Sequence, residues 1–149
     1  MDNNVIAYIA GFFDGDGHVS LTKLSDDAVI PHYALVVGIT QTERGILDWI
    51  QEQLGMGRVT GGRKYKHPDQ KATWQLRFYG HNAEAVLKTL KPYLRVKQAR
   101  AELGLEFATQ LNGRLIQDAG NRQLRTPPAL QTRREQAYIQ MRNLNHRGA

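Results

Sequence analysis

Nine residues constrain this chain more than any others: Ile9-Ala10-Gly11-Phe12-Phe13-Asp14-Gly15-Asp16-Gly17. An apolar helical turn carrying small side chains runs directly into an acidic, glycine-rich end. Ile6, Ile9 and Phe13 recur at helical spacing and suit a core face. Ala7, Ala10, Gly11 and Asp14 form a second face of mostly small side chains, a candidate interface at which two helices pack nearly backbone to backbone. Gly15 and Gly17 are expected to break the helix, since glycine tolerates the backbone angles of a sharp exit. An alternating strand follows from His18 to Thr22, so Asp16 falls at a helix-to-strand junction with its carboxylate pointing out of the packed helix.

The chain then runs twice through the same order of elements. In the first pass Val19 and Leu21 alternate with His18, Ser20 and Thr22, and Leu35, Val37 and Ile39 alternate with Ala34, Val36, Gly38 and Thr40. A helix follows with Ile46, Leu47, Ile50 and Leu54 on one side and Gly55 as its stop. In the second pass Val59 lies between Arg58 and Thr60, and Trp74, Leu76 and Phe78 alternate with Thr73, Gln75 and Arg77. Asn82 is the expected cap of a helix presenting Ala83, Val86, Leu87 and Leu90, which Pro92 ends. The order αββαββα predicts an α+β fold: a four-stranded antiparallel sheet covered by helices on one face. Residues 97–111 read as a further helix with Leu103, Phe107 and Leu111, and 112–126 are polar, with Gly113 and Gly120. A last helix from about Pro127 and Pro128 buries Leu130, Ala137, Met141 and Leu144. We expect one domain over residues 1–149, with a core of about 5–107 and a helical tail of about 112–149.

The sheet face opposite the core carries the functional signal. If Trp74, Leu76 and Phe78 face inward, then Thr73, Gln75 and Arg77 face outward with His18, Ser20, Thr22, Arg58 and Thr60. Guanidinium, amide and hydroxyl groups match the donors and acceptors that base pairs expose in the major groove, which admits a β-ribbon. Ala34, Val36 and Gly38 share that face, where Ala34 and Val36 suit thymine methyls. Taken singly, any of these polar side chains also serves to solvate an open sheet. Collectively, Arg58, Arg63, Lys64, Lys66, Lys71 and Arg77, with Gly62 among them, are opposed only by Asp69 and point to phosphate contacts.

Charge is distributed in the same sense. Residues 1–57 carry two basic and eight acidic side chains, 58–94 eight basic and two acidic, and 95–149 ten basic and four acidic, for a net +6. This asymmetry favours a polyanionic partner and an acidic site that gathers cations. A hydrophobic content of 41% over 149 residues is enough for one packed domain. The absence of cysteine rules out disulfides and Cys-based zinc sites and is compatible with an intracellular setting. His18, His32, His67, His81 and His146 are too scattered for a ligand pattern. No signal peptide or spanning helix is expected, hence no membrane partner, and no nucleotide loop or cofactor motif predicts a small-molecule cofactor. A chain of this length starting at Met1 is expected as a free-standing protein rather than an intein insert.

The nonapeptide resembles the LAGLIDADG motif of homing endonucleases. Ile9 stands for the first Leu, Phe12 and Phe13 for Leu-Ile and Gly15 for the second Ala, while both acids and the glycines Gly11 and Gly17 keep the family spacing. The resemblance covers residues 5–107 in element order. It implies site-specific cleavage of double-stranded DNA by paired acidic helix ends. One motif copy implies a homodimer, with Ala7, Ala10, Gly11 and Asp14 in its interface and a near-palindromic target. Asp16 and the Gly15 carbonyl are hard oxygen ligands suited to Mg²⁺, with Mn²⁺ as a substitute. By the same resemblance Asp14 supports the helix end, Gln41 orders the water network, and Lys97 is the basic residue near the metal. Without it, Gln41 and Lys97 would read as surface solvation. Arg44 matches a further basic site residue, although Thr40–Arg44 is one residue shorter than the family pattern. Relatives of this fold also serve as intron RNA maturases or non-cleaving DNA-binding regulators, which makes intron RNA a further candidate partner and a binding module the competing reading.

Overall fold

The computed structural model describes residues 1–24, 32–62, 69–111, 116–117, 124–125 and 127–146. Helix α1 spans Asn3–Asp16, and the Asp2 side chain accepts a hydrogen bond from the Asn4 amide at its start. Strands β1 (Gly17–Leu24) and β2 (His32–Gln41) lead to α2 (Arg44–Leu54). Strands β3 (Arg58–Gly61) and β4 (Trp74–Tyr79) lead to α3 (Gly80–Leu90). A 3₁₀ turn at Lys91–Tyr93 precedes α4 (Gln98–Glu106), which runs into a π-helical turn at Phe107–Leu111. The chain closes with a two-residue pairing of β5 (Ile116–Gln117) with β6 (Leu124–Arg125) and with α5 (Pro128–Asn145).

The expected αββαββα order is therefore present, and the four main strands pair antiparallel in the order β1-β2-β4-β3. The two inner strands join the two passes of the chain. Burial alternates as the sequence predicts: Val19, Leu21, Leu35, Val37, Ile39, Leu76 and Phe78 lie in the core beneath the helices. Ile9, Phe13, Leu47, Ile50, Leu87, Leu90 and Phe107 meet them from the helical layer. Gly55 ends α2 at φ 67°, a conformation that favours glycine, and its amide donates to the Gln51 carbonyl.

Several expectations are corrected. Gly15 does not break α1, which continues to Asp16. Gly17 leaves the helix at φ −80°, open to any residue, so conformational freedom is not its role. Its role is steric: a Cβ there would stand 2.3 Å from the Phe13 ring. Ala10 is not on an interface face but is fully buried in this chain's own core, because Ile6, Ile9, Ala10 and Phe13 complete the i, i+3, i+4, i+7 stripe. Asn82 does not cap α3. Gly80, at φ 54°, turns the chain straight from β4 into the helix, and Asn82 falls in its first turn. Trp74 is half-buried at the sheet's end, with the Arg44 guanidinium 4.7 Å above its ring. The helix expected at 97–111 loses regular α geometry at Phe107.

Helix α5 packs against α4 and β1, the outer strand. Asn145 Nδ2 donates to the Val19 carbonyl at 2.8 Å, and Arg100 Nε donates to Asn145 Oδ1 at 2.9 Å. Lys23 pairs with Glu135 at 2.9 Å, and the Tyr33 hydroxyl donates to the same carboxylate. These contacts cover a strand edge that would otherwise present unpaired backbone groups. Ala137 and Met141 are buried as expected, Leu130 and Leu144 only partly, and Arg134 is buried among them.

Gly17→Ala is expected to lower stability by about 1–3 kcal/mol through overpacking against Phe13. Gly11→Ala, with nothing within 4 Å of the added carbon, should leave the fold intact. Urea denaturation of the two variants checks the contrast.

Candidate active site and nucleic-acid interface

The C-terminus of α1 is an electrostatically crowded place. A helix ends in unpaired carbonyls and the negative pole of its dipole, and here Asp14 and Asp16 add two carboxylates with no basic residue in the last turn. Groups distant in sequence supply the balancing donors. Asp14 Oδ2 accepts from the Arg95 amide at 2.7 Å, and Oδ1 from the Lys97 amide at 2.9 Å. The Lys97 ammonium donates to the Asp14 carbonyl and lies 3.4 Å from the Gly15 carbonyl. Burial alone would raise the Asp14 pKa, but the amides of Arg95, Lys97 and Val96 and the Lys97 charge together hold it below the usual carboxylate value. Burial pushes the Lys97 pKa down, with Asp14 and Asp16 opposing the shift and Arg100 adding to it.

Asp16 is exposed at this end, one residue before β1. Gln41, the last residue of β2, donates from Nε2 to Asp16 Oδ2 at 2.7 Å. Its own Oε1 accepts from the Thr42 amide at 2.9 Å, which fixes which way the side-chain amide points. Asp16, Gln41 and Lys97 therefore converge from the end of α1, the end of β2 and the turn before α4. Arg44 does not join them through any described contact: it sits in the first turn of α2, with Nε 3.1 Å from Asp48 and its guanidinium on Trp74.

The donor set suits a hard divalent cation in part. The Asp16 carboxylate and Gly15 carbonyl are oxygen donors of the right kind, and Lys97 already places a positive group against that carbonyl. Among the described residues no three His, Cys, Asp or Glu side chains gather into a cage. Such a site fits Mg²⁺, which keeps waters and binds through one or two carboxylates plus phosphate oxygens.

Beside this cluster the sheet's outer face forms continuous rows. His18, Gly38, Arg77 and Arg58 are successive register partners across all four strands. Thr40, Gln75 and Thr60 form the next row. A concavity of about 380 Å³ lies between His18, Ser20 and Thr22 on β1, Ala34 and Val36 on β2, and Arg77 and Tyr79 on β4. Gly38 allows this shape: a Cβ there would stand 2.6 Å from His18 Cε1 and 2.9 Å from the Leu76 carbonyl oxygen. Burial, then the charges of Arg77 and Lys97, push the His18 pKa down, which favours the neutral imidazole. Arg77 Nη1 lies 3.4 Å from the Tyr79 hydroxyl, while its Nε is buried without a partner among the described residues.

Most of the sequence-predicted contact residues thus share one face. Arg58 and Thr60 are exposed on β3, and Thr73 and Lys71 immediately precede β4. Gly62, at φ 77°, packs on the Trp74 ring and donates its amide to the Thr73 carbonyl at 3.0 Å. Arg63, Lys64 and Lys66 lie outside the described residues. Tyr79 lies one residue beyond the strand end expected at Phe78, and continuing the Gln75, Arg77 alternation by one step reaches it. The amides of Arg95 and Lys97 were also missed, since backbone donors leave no signal in side-chain chemistry.

An acidic helix end set beside an open, polar antiparallel sheet defines the class of protein at hand. The profile of the LAGLIDADG-like domain matches residues 3–91. The DNA endonuclease I-CvuI of Chlorella vulgaris is 31% identical over 114 residues, 74% of this chain and 67% of that protein. This chain belongs to the LAGLIDADG family. Its fold is that of homing endonuclease I-CvuI solved with the I-CreI target DNA, uncleaved in the presence of magnesium: TM-score 0.73 and 23% identity over 97% of this chain and 83% of that one. The archaeal intron-encoded homing endonuclease I-Vdi141I, complexed with DNA, gives a TM-score of 0.76 at 20% identity over 100% of this chain and 89% of that one.

Gly38→Ala is expected to displace the His18 ring, moving its imidazole NMR resonances, and to cost about 1–3 kcal/mol because the Leu76 carbonyl cannot yield.

Proposed function

We propose that this chain is a site-specific homing endonuclease that binds duplex DNA across the outer face of its sheet and hydrolyses the phosphodiester backbone as a homodimer. The observation that carries this reading is the convergence of Asp16, Gln41 and Lys97 at the end of α1, directly beside the polar rows of the sheet.

Asp16 and the Gly15 carbonyl would hold a divalent cation, Mg²⁺ with Mn²⁺ as a substitute. Such an ion, when bound, lowers the pKa of its water and neutralises charge developing at phosphorus. Gln41 holds one Asp16 oxygen and leaves the other free of any described hydrogen bond, which fixes the carboxylate's orientation. Lys97 supplies a positive charge, already fixed against the helix end, to the phosphate oxygens of the transition state. His18, Ser20, Thr22, Thr60, Gln75 and Arg77 face base edges, with Tyr79 beside them. Arg58 and Lys71, like Arg63, Lys64 and Lys66, are assigned to phosphates. Arg44 is assigned to the rim of the site, since its described partners are Asp48 and the Trp74 ring.

Each chain carries one Asp16, and a double-strand break needs two reaction centres. Ala7, Gly11 and Gly15 line the exposed side of α1, and Cβ atoms built at the two glycines meet nothing of this chain within 4 Å. Tyr8, 54% exposed, continues that side into an apolar concavity of about 370 Å³ with Val5, Ile46 and Trp49. A second copy packed on this surface brings two Asp16 residues to one axis. Asp14 contributes by holding its own chain's turn at Arg95–Lys97.

The test is a cleavage selection with Mg²⁺ on a randomised duplex library. Wild type should yield one long, near-palindromic family of cut sites. Asp16→Asn should abolish cutting while retaining duplex binding, and Lys97→Ala should slow it by about 10²-fold. If neither wild type nor Asp16→Asn cuts but both retain duplex DNA or structured intron RNA, a non-cleaving binding protein replaces the enzyme. Sedimentation of Gly11→Leu should give monomers where wild type gives dimers; an unchanged dimer moves the interface elsewhere.

A further inference from the structure

We propose that Asp14 is a positioning residue for Lys97, and that the two act as one unit in cleavage; this rests on the role of Lys97 given above. The residues are 83 positions apart in sequence, yet Asp14 holds Lys97 at both ends. Its carboxylate receives the Lys97 amide, and its main-chain carbonyl receives the Lys97 ammonium. The second carboxylate oxygen takes the Arg95 amide, so the turn before α4 is clamped on either side of Val96.

Buried Leu94 and the Ala101 amide on the Lys97 carbonyl anchor the two ends of that turn, and Asp14 holds the stretch between them. Val96 is 67% exposed and Arg95 is exposed, and no side chain caps the start of α4 at Lys97. A lysine has a flexible four-carbon stem and a point charge, so a fixed backbone alone leaves its ammonium free to wander. The Asp14 carboxylate sets where the Lys97 main chain stands, and that placement brings its ammonium onto the main-chain carbonyl of residue 14. It leaves Nζ beside the Gly15 carbonyl, one residue from Asp16. An error of about 1 Å in a charged group at a reaction centre can cost on the order of 100-fold in rate. Asn at position 14 keeps one acceptor oxygen but turns an NH₂ toward the other amide, a donor facing a donor.

The experiment uses the full chain as wild type, Asp14→Asn, Lys97→Ala and the double variant. Single-turnover cleavage and duplex affinity are measured on a site recovered by the selection. In parallel, Lys97 acylation by a small amine-reactive ester is followed by peptide mass spectrometry, with exposed Lys71 as the internal reference. Asp14→Asn should slow cleavage by about 10- to 100-fold with affinity unchanged. The double variant should be no slower than Lys97→Ala alone. The limiting acylation rate of Lys97 at high pH, where loss of the Asp14 charge no longer alters the fraction of free amine, should rise several-fold relative to Lys71 once Asp14 is replaced. Multiplying rate losses in the double variant would overturn the proposal, as would unchanged acylation. If Asp14→Asn does not fold, Asp14→Glu, with its carboxylate displaced by one methylene, carries the same two readouts. Should wild type fail to cut any site, the endonuclease reading falls, and acylation alone decides whether Asp14 positions Lys97.

Discussion

Negative charge gathered at the end of α1 is the constraint on which the rest of this site depends. A helix C-terminus is already the negative pole, and carboxylates there are disfavoured by a few tenths of a kcal/mol up to about 1 kcal/mol each. This chain puts two there. Asp14 is offset within the chain by two backbone amides and the Lys97 ammonium, and its pKa lies below the ordinary value despite partial burial. Among the described residues Asp16 accepts a single side-chain hydrogen bond, from the neutral Gln41 amide, and feels the Lys97 charge without a direct bond to it. The two acids therefore differ in kind: one is satisfied by its own chain, and the other keeps an excess of negative charge at the surface. That difference is what supports assigning Asp16, and not Asp14, to the proposed cation.

Supplying those balancing groups shapes the fold around them. Gln41 reaches Asp16 because β2 lies beside β1 and ends where α1 ends. Lys97 reaches the Asp14 and Gly15 carbonyls because the 3₁₀ turn at Lys91–Tyr93 brings the chain back past α1 before α4 begins. Gly17 completes the arrangement by letting the chain pass the Phe13 ring into β1 without a side chain in the way. Asp16 and Gln41 are thus delivered by the ends of a helix and a strand, while Lys97 comes from the turn before α4, which Asp14 ties to α1.

The legible part of this structure was the part governed by periodicity. Alternation along β1, β2 and β4 and the helical spacing of Leu47, Ile50 and Leu54 predicted the elements and the buried face. Strand order was not legible, because pairing β2 with β4 depends on how the two passes dock and not on either pass alone. Gly17 was read for its backbone freedom when its role is space, since the position of the Phe13 ring is a tertiary fact. Ala10 was assigned by size to an interface, whereas its angular position on the helix places it in the core. Asp16, Gln41 and Lys97 were named together through a family resemblance; spacing alone gives no reason for residues so far apart in sequence to meet. The amides that hold Asp14 left no trace in the sequence, because every residue but proline carries one.

Register ties the proposed recognition surface to the proposed chemistry. The row His18, Gly38, Arg77, Arg58 crosses three strand intervals, about 14 Å at ordinary strand spacing, close to the roughly 12 Å width of a major groove. Asp16 ends α1 two residues before His18, so the proposed reacting end and the first member of that row are joined by Gly17 alone. Slipping β1 by one residue against β2 would turn His18, Ser20 and Thr22 into the core and carry Asp16 off Gln41. The burial of Val19 and Leu21 forbids that slip. The same apolar contacts that stabilise the sheet therefore set which side chains its outer face presents and where the Asp16 carboxylate stands, so on the proposed reading specificity and cleavage are not separately adjustable in β1.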